Sequence, residues 1–295
     1  PVTTLAVTWN DGSGPVSENL NVNIAPNSTY SFICTNEWNA QASLQTSLAL
    51  TVTTTTDANP LNNSYETPVT VLASLPTKYV VVEERTGTWC GWCPHGAVGM
   101  AHLESEPQFI GVAVHSNDPM EVQNYDFLIN TYMDLGGFPG AMFDRDNESG
   151  FSSIASLFDE FNKRKNFAAP CEVKNLAVNI NSSTNEINIS GETEWFGNIH
   201  GDYRLSCVIV EDDVIGTTTS WFQRNAYAGG ANGPQQFPNN INNGFDFATA
   251  QDPADPTGFG GYDHVARYLS SGDLLGDPHS LPTGEVPMGT YAYTF

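Results

Sequence analysis

The sequence predicts a multidomain protein: an N-terminal β-sandwich, a central open α/β unit and a C-terminal β-rich, sandwich-like unit. Three observations predict it. At 295 residues the chain exceeds one average domain. Apolar and polar residues alternate in short runs before Pro76. Beyond it, near-continuous apolar strands alternate with helical periodicities, and strand-like runs return after Pro170. The boundaries expected from these shifts are 1–76, 77–169 and 170–295.

The N-terminal runs are Leu5–Trp9, Leu20–Ile24, Tyr30–Cys34, Leu48–Val52 and Pro68–Leu72, separated by turn clusters at Asp11–Gly14 and Asn59–Asn63. Period two with frequent turns argues for an antiparallel sandwich. These runs fall short of the about seven strands of an immunoglobulin-like domain, which predicts one or two further strands ahead of Pro1. Asp57 to Asn63, followed by a closing strand, resembles cell-adhesion-related bacterial immunoglobulin-like modules.

In the central unit Tyr79–Glu84 reads as a buried strand, Pro94 to Glu104 as a helix and Phe109–Val114 as a second buried strand. Residues 121–134 carry apolar side chains at helical spacing, Ala141–Asp144 is a short strand, and Ile154, Leu157, Phe158 and Phe161 line one face of a last helix. Lys163-Arg164-Lys165 closes that helix, where cations offset the dipole. The resulting β-α-β-α-β-α order calls for a sheet covered on both faces. C-terminal strands are expected at 173–180, 186–195 and 203–211, followed by a long irregular loop at 215–262 rich in Gly, Asn, Pro and aromatics.

Charge narrows the function classes. Ten Lys and Arg stand against thirty-three Asp and Glu, a net charge of −23, and no basic track suits a nucleic acid. No apolar run approaches the roughly 18 residues of a membrane-spanning helix. The first residues already read as a strand, so the segment is expected to come from a processed or longer precursor, and its composition points outside the cytoplasm. A Gly-x-Ser-x-Gly elbow and phosphate-binding glycine loops are both missing.

The segment Val82–Pro94 carries the chemistry. A buried strand runs into Thr88-Trp89-Cys90-Gly91-Trp92-Cys93-Pro94, and a helix starts at the second cysteine. Cys90 then lies at the positive helix end, where a thiolate is favoured, and is the expected attacking thiol; Cys93 would resolve the mixed disulfide. Pro94 suits the first helical turn. A zinc site lacks its second half, since no further Cys-x-x-Cys follows and His95, His102 and His115 do not supply it. Two readings remain: a redox-active pair or an inert structural disulfide.

That turn, following a Val-rich strand, resembles the active-site turn of the thioredoxin superfamily. The resemblance implies a cis-proline facing the dithiol, and Gly136-Gly137-Phe138-Pro139 occupies the matching place. Pro139 is therefore expected to be cis and to shape a peptide groove, the alternative being an ordinary trans turn proline. Glu84 stands where many thioredoxins carry a buried acid that takes the resolving thiol's proton; the alternative is a pair with Arg85. Glu83 is expected to face solvent. Trp92 departs from thioredoxin itself, which has proline between the cysteines, and leaves the direction of electron flow open.

Residues 78–290 also resemble the Bacteroidetes family related to outer membrane protein twenty-eight, through the dithiol turn, Gly201–Leu205 with Val208–Asp212, and Tyr262–Arg267. This resemblance implies a secreted, surface or periplasm-facing protein.

Other groups carry lesser expectations. Cys171 and Cys207 either pair as a staple or remain buried thiols, and Cys34 reads as a core thiol. Asp252, Asp255 and Asp263 are either a Ca²⁺ site or solvated loop carboxylates. The loop aromatics either line a contact surface or pin the loop onto its own sandwich. The expected function is cofactor-free thiol-disulfide exchange with protein or peptide thiols and disulfides by Cys90, Cys93, Glu84 and Pro139. The alternative is a structural or adhesive surface protein, contacting other surface proteins, in which the α/β unit is a connector and the disulfide inert.

Overall fold

The alternating runs before Pro76 form β1 (Val2–Asn10), β2 (Pro15–Ile24), β3 (Gln45–Thr53) and β4 (Ser64–Thr70), an antiparallel sheet in the order β2-β1-β3-β4. The computed structural model describes residues 1–41, 45–132, 137–150, 153–270 and 275–295; Gly136 and the end of the expected second helix lie outside them. These strands make one sheet, not the two of the expected sandwich. The missing strand is Tyr30–Cys34, which has no regular structure. Its segment is tied down by side chains instead of a ladder: Thr35 N–H donates to Glu18 Oε2 at 3.0 Å and Trp38 Nε1 to Asp11 Oδ2 at 2.8 Å. Ile33 is 90% exposed and Cys34 only half-buried, which corrects its placement in a core.

The α/β alternation comprises β5 (Val80–Thr86), α1 (Pro94–Leu103), β6 (Phe109–His115), α2 (Gln123–Tyr132), β7 (Gly140–Phe143), β8 (Asn147–Gly150) and α3 (Ile154–Arg164). β5 runs parallel to β6 and antiparallel to β7, which pairs with β8. Val80 and Val82 of β5 pack with Met100 and Leu103 of α1 and Leu157 and Phe161 of α3. On the other side Val112 and Val114 of β6 pack with Tyr125, Leu128 and Ile129 of α2. Both faces are therefore covered, which is why these strands read as continuous apolar runs. Ser153 caps α3 by accepting from Ser156 N–H at 3.1 Å, and Arg164 in its last turn pairs with Asp144 and Asp146.

Beyond residue 170 the chain forms β9 (Cys171–Asn181), β10 (Glu186–Trp195), β11 (Ile199–His200), β12 (Val208–Glu211), α4 (Pro256–Phe259), β13 (Val265–Leu269), β14 (Glu285–Val286) and β15 (Gly289–Thr294). β15-β10-β9 is a separate sheet, and β11 pairs with β14. By contrast, β12 and β13 complete the central sheet, whose order is β12-β13-β6-β5-β7-β8. The boundary expected at 169/170 therefore does not separate the sheets, and the long loop is an insert between two strands of the central one. Its rings stack at centroid spacings of 5.2 to 5.7 Å (Phe237, Phe247, Phe259, Tyr262) against Val98 and Ala101 of α1. This corrects the expectation that the loop is pinned to a C-terminal sandwich. Among the described residues no helix is long and apolar enough to cross a membrane.

Candidate functional site at the start of the first helix

β5 ends at Thr86, and the chain turns through 87–92 into α1. Cys90 N–H donates to Gly87 O at 3.0 Å and Cys93 N–H to Cys90 O at 3.2 Å, so the turn brings the two cysteines to a Cα separation of 5.4 Å. They form a disulfide. Cys93 caps α1 and Pro94 occupies its first turn, where a missing N–H costs no helical bond.

The sulfurs are less open than the sequence implied. Cys90 is 4% and Cys93 1% exposed, which corrects the picture of an accessible first thiol. The insert is bonded to the same turn. Arg224 N–H donates to Thr88 O at 2.7 Å and Ala226 N–H to Gly91 O at 2.8 Å, two backbone bonds that tie the insert to the turn. Gln223 Nε2 donates to Cys90 O at 2.8 Å, and Trp92 meets Tyr227 edge-on at 5.6 Å. Trp89 and Trp92 remain about half exposed beside the covered pair. Trp89 also stacks edge-on with Phe138 at 4.8 Å, and the Arg85 guanidinium lies 3.9 Å over the Phe138 ring.

Glu84 and Pro139 converge on the same helix start. The Phe138–Pro139 peptide bond is cis, and a methyl placed on Gly96 would run into Glu84 Oε1 and lie 2.9 Å from Pro139 Cβ. Glu84 is 2% exposed, and its Oε1 has no hydrogen-bond partner. Burial pushes its carboxyl up to about 8, against a hydrogen bond from Thr86. Beside it lies a cavity of about 40 Å³, walled by Glu84, Cys93, His115, Gln223, Tyr262 and His264 among others. That is room for a water molecule or two. Cys90, Cys93, Glu84 and Pro139 thus gather at one end of the central sheet.

The other expectations separate from this site. Glu83 is 1% exposed: it pairs with Arg145 at 2.7 Å and accepts from Tyr125, so its solvent-facing assignment is corrected. β5 is covered on both faces, and alternation there only exchanges one interior for another. Asp252 pairs with Arg224 at 2.8 Å, Asp255 caps α4 through Thr257 N–H at 2.9 Å, and Asp263 accepts from Asp213 N–H at 3.0 Å. They form no shared donor set, and among the described residues no cluster of three or more ligating side chains exists. Cys171 and Cys207 are both free and lie in or beside different sheets, so there is no staple.

Sequence reasoning missed Gln223, His115 and Asp118. His115 and Asp118 are buried and joined at 2.7 Å, and Asp118 Oδ2 also accepts Thr88 N–H at 2.9 Å, anchoring the dithiol turn. A His-x-x-Asp opening at the last residue of a buried strand was a legible signal. Gln223 lies in aperiodic sequence and left none.

No family model matches the chain, and no curated protein matches it in sequence. Among solved structures it is similar to HBP35 of Porphyromonas gingivalis at 18% identity and a TM-score of 0.50, covering 75% of this chain and 64% of that one. A crystal structure of a protein from Agrobacterium tumefaciens aligns at 12% identity and a TM-score of 0.39, covering 75% of this chain and 80% of that one. The first likeness is one of fold, and the match spans less than two thirds of the Porphyromonas chain.

Proposed function

We propose that this chain is a thioredoxin-like thiol-disulfide exchange protein acting on protein thiols or disulfides outside the cytoplasm. One observation carries the reading: Cys93 of the Cys90–Cys93 disulfide, at a helix start, shares a water-sized cavity with a buried carboxyl that has an unpartnered oxygen. A buried carboxyl with one oxygen unpartnered destabilises the fold, and a proton-transfer task accounts for its presence. In the oxidised protein a partner's thiolate attacks Cys90 Sγ, the Cys90–Cys93 bond breaks, and Cys93 leaves as a thiolate that takes the Glu84 proton. A second thiol of the partner, deprotonated, then attacks the partner's own sulfur in the mixed disulfide, releasing Cys90 and leaving the partner oxidised. Run backwards, the same steps reduce a partner's disulfide. Pro139 borders the groove where an extended peptide would lie, and no cofactor enters. A closed disulfide supports the extracytoplasmic placement.

The pairing of 223–226 with 88–91 favours a second reading, an inert disulfide in a connector of a structural or adhesive surface protein. Reduction of insulin disulfides by the chain, in the presence of a small dithiol, separates the two. Exchange that disappears in Cys90→Ser supports the first. A native disulfide that resists the dithiol while the protein stays folded supports the second.

A further inference from the structure

Glu84 has no route to solvent of its own: it is 2% exposed, and the insert closes the front of the site. A proton it receives must leave through the cavity behind Cys93. Three residues in the wall of that cavity, Glu104, Asp263 and His264, also line a surface groove of about 600 Å³ on the outer side. Of these, His264 is the group whose ordinary pKa lies nearest neutrality.

His264 is held in an unusual way. Its backbone is left-handed, with φ of 58°, a region that His, Asn and Asp adopt more readily than other side chains. Its carbonyl is fixed by Ala113 N–H of β6 at 2.7 Å. Its ring stands edge-on to Phe109 at 5.6 Å, and a methyl on Gly111 would lie 2.9 Å from its Cγ, so only glycine leaves room for it there. Nε2 is 3.1 Å from Glu104 Oε1, and Glu104, at the end of α1, is 32% exposed at its side chain. The left-handed backbone and the space left by Gly111 hold one imidazole between an internal cavity and the surface.

We propose that His264 and Glu104 form the proton exit of the dithiol site, passing the proton released by Cys93 from Glu84, across the cavity, to solvent. This rests on the exchange function proposed above. Only S–H, O–H and N–H bonds change along the route: Cys93 loses its proton to Glu84, Glu84 to a water in the cavity, and that water to His264, which returns one to Glu104 or to bulk. Electrons remain in the dithiol couple. The charged and titratable groups facing His264 are Glu104 from α1, Asp212 and Asp213 after β12, and Asp263 beside it; Glu84, Cys93, His115 and Tyr262 share the cavity.

The test is the pH profile of insulin reduction by the full chain, comparing wild type with His264→Gly and His264→Asn, both compatible with a left-handed backbone. We expect the glycine variant to fold, to exchange about ten-fold more slowly at pH 7, and to recover in imidazole buffer, with a rate that follows the buffer's own titration. Imidazole can enter through the groove, and rescue of this kind would not follow from a purely structural role. Unchanged rates and an unchanged profile in both variants, or a loss that imidazole fails to restore, overturn the exit while leaving exchange itself in place. A wild-type chain that never exchanges overturns the parent reading and the exit together.

Discussion

Gly96 sits directly over the Glu84 carboxyl: there is no space between them for a single methyl group, and Pro139 closes the same gap from another side. The first turns of α1, the buried acid of β5 and the cis-proline loop therefore form one tightly fitted contact. Gly96→Ala should force Glu84 and Pro139 apart. Overpacking of this kind costs about 1 to 3 kcal/mol. Denaturant unfolding gives the cost, and exchange should fall in the same variant; an alanine tolerated with neither effect would contradict the geometry.

Glu84 should make stability depend on pH. Its folded pKa, raised by burial to about 8, exceeds that of the unfolded chain, so the folded state binds more protons between the two values. Stability should therefore fall as pH rises through that window. Between pH 5 and 7.5 this single group accounts for about 3 kcal/mol. In Glu84→Gln the slope should largely vanish, which urea unfolding at the two pH values measures.

Gln223 ties the insert to the carbonyl of Cys90. Gln223→Ala removes that bond and leaves Cys90 O with the Cys93 N–H of the turn alone, at a cost of about 1 kcal/mol. We expect the native disulfide to be reduced by dithiothreitol several-fold faster in this variant, followed by the change in Trp89 and Trp92 fluorescence. Equal rates would mean that the insert does not control access.

The three remaining cysteines should be counted as thiols. Mass spectrometry after alkylation without reductant should find one disulfide, Cys90–Cys93, and free Cys34, Cys171 and Cys207. Burial pushes Cys171 up to about 11 and also raises Cys207. At pH 8 roughly one Cys171 in a thousand is then thiolate, and its labelling in the native protein should be slow.

Arg145 neutralises Glu83 inside the sheet. Arg145→Met would strand a carboxylate that is 1% exposed, with a loss of about 3 to 5 kcal/mol. The double variant Glu83→Leu with Arg145→Met should lose less than the single one, because it removes both charges together. Thermal or denaturant unfolding of the pair distinguishes this from simple additivity.

The legible parts of this protein were the local ones. The turn from Gly87 to Pro94 announces itself because glycine, cysteine spacing and a helix-initiating proline lie within one short segment. Glu84 was legible from its place on a buried strand. Glu83 was not, since β5 is covered on both sides and its partner Arg145 comes from a turn far along the chain. Tyr30–Cys34 shows the limit of alternation: the pattern is there, but Glu18 holds the Thr35 backbone and Asp11 the Trp38 indole by side-chain bonds, and no ladder forms. Nothing in the apolar runs of β12 and β13 states which sheet they join, because strand partnership is decided by contacts between distant segments. For the same reason the insert's grip on the dithiol turn left no trace in its periodicity.

Because β13 docks on β6 only after the whole insert has been made, β6 must wait with one edge unpaired until β13 has been synthesised. Such late closure implies slow, long-range folding and a vulnerable intermediate in which an apolar strand edge invites pairing with other chains. A nascent chain of this kind would depend on chaperone shielding until β13 has emerged.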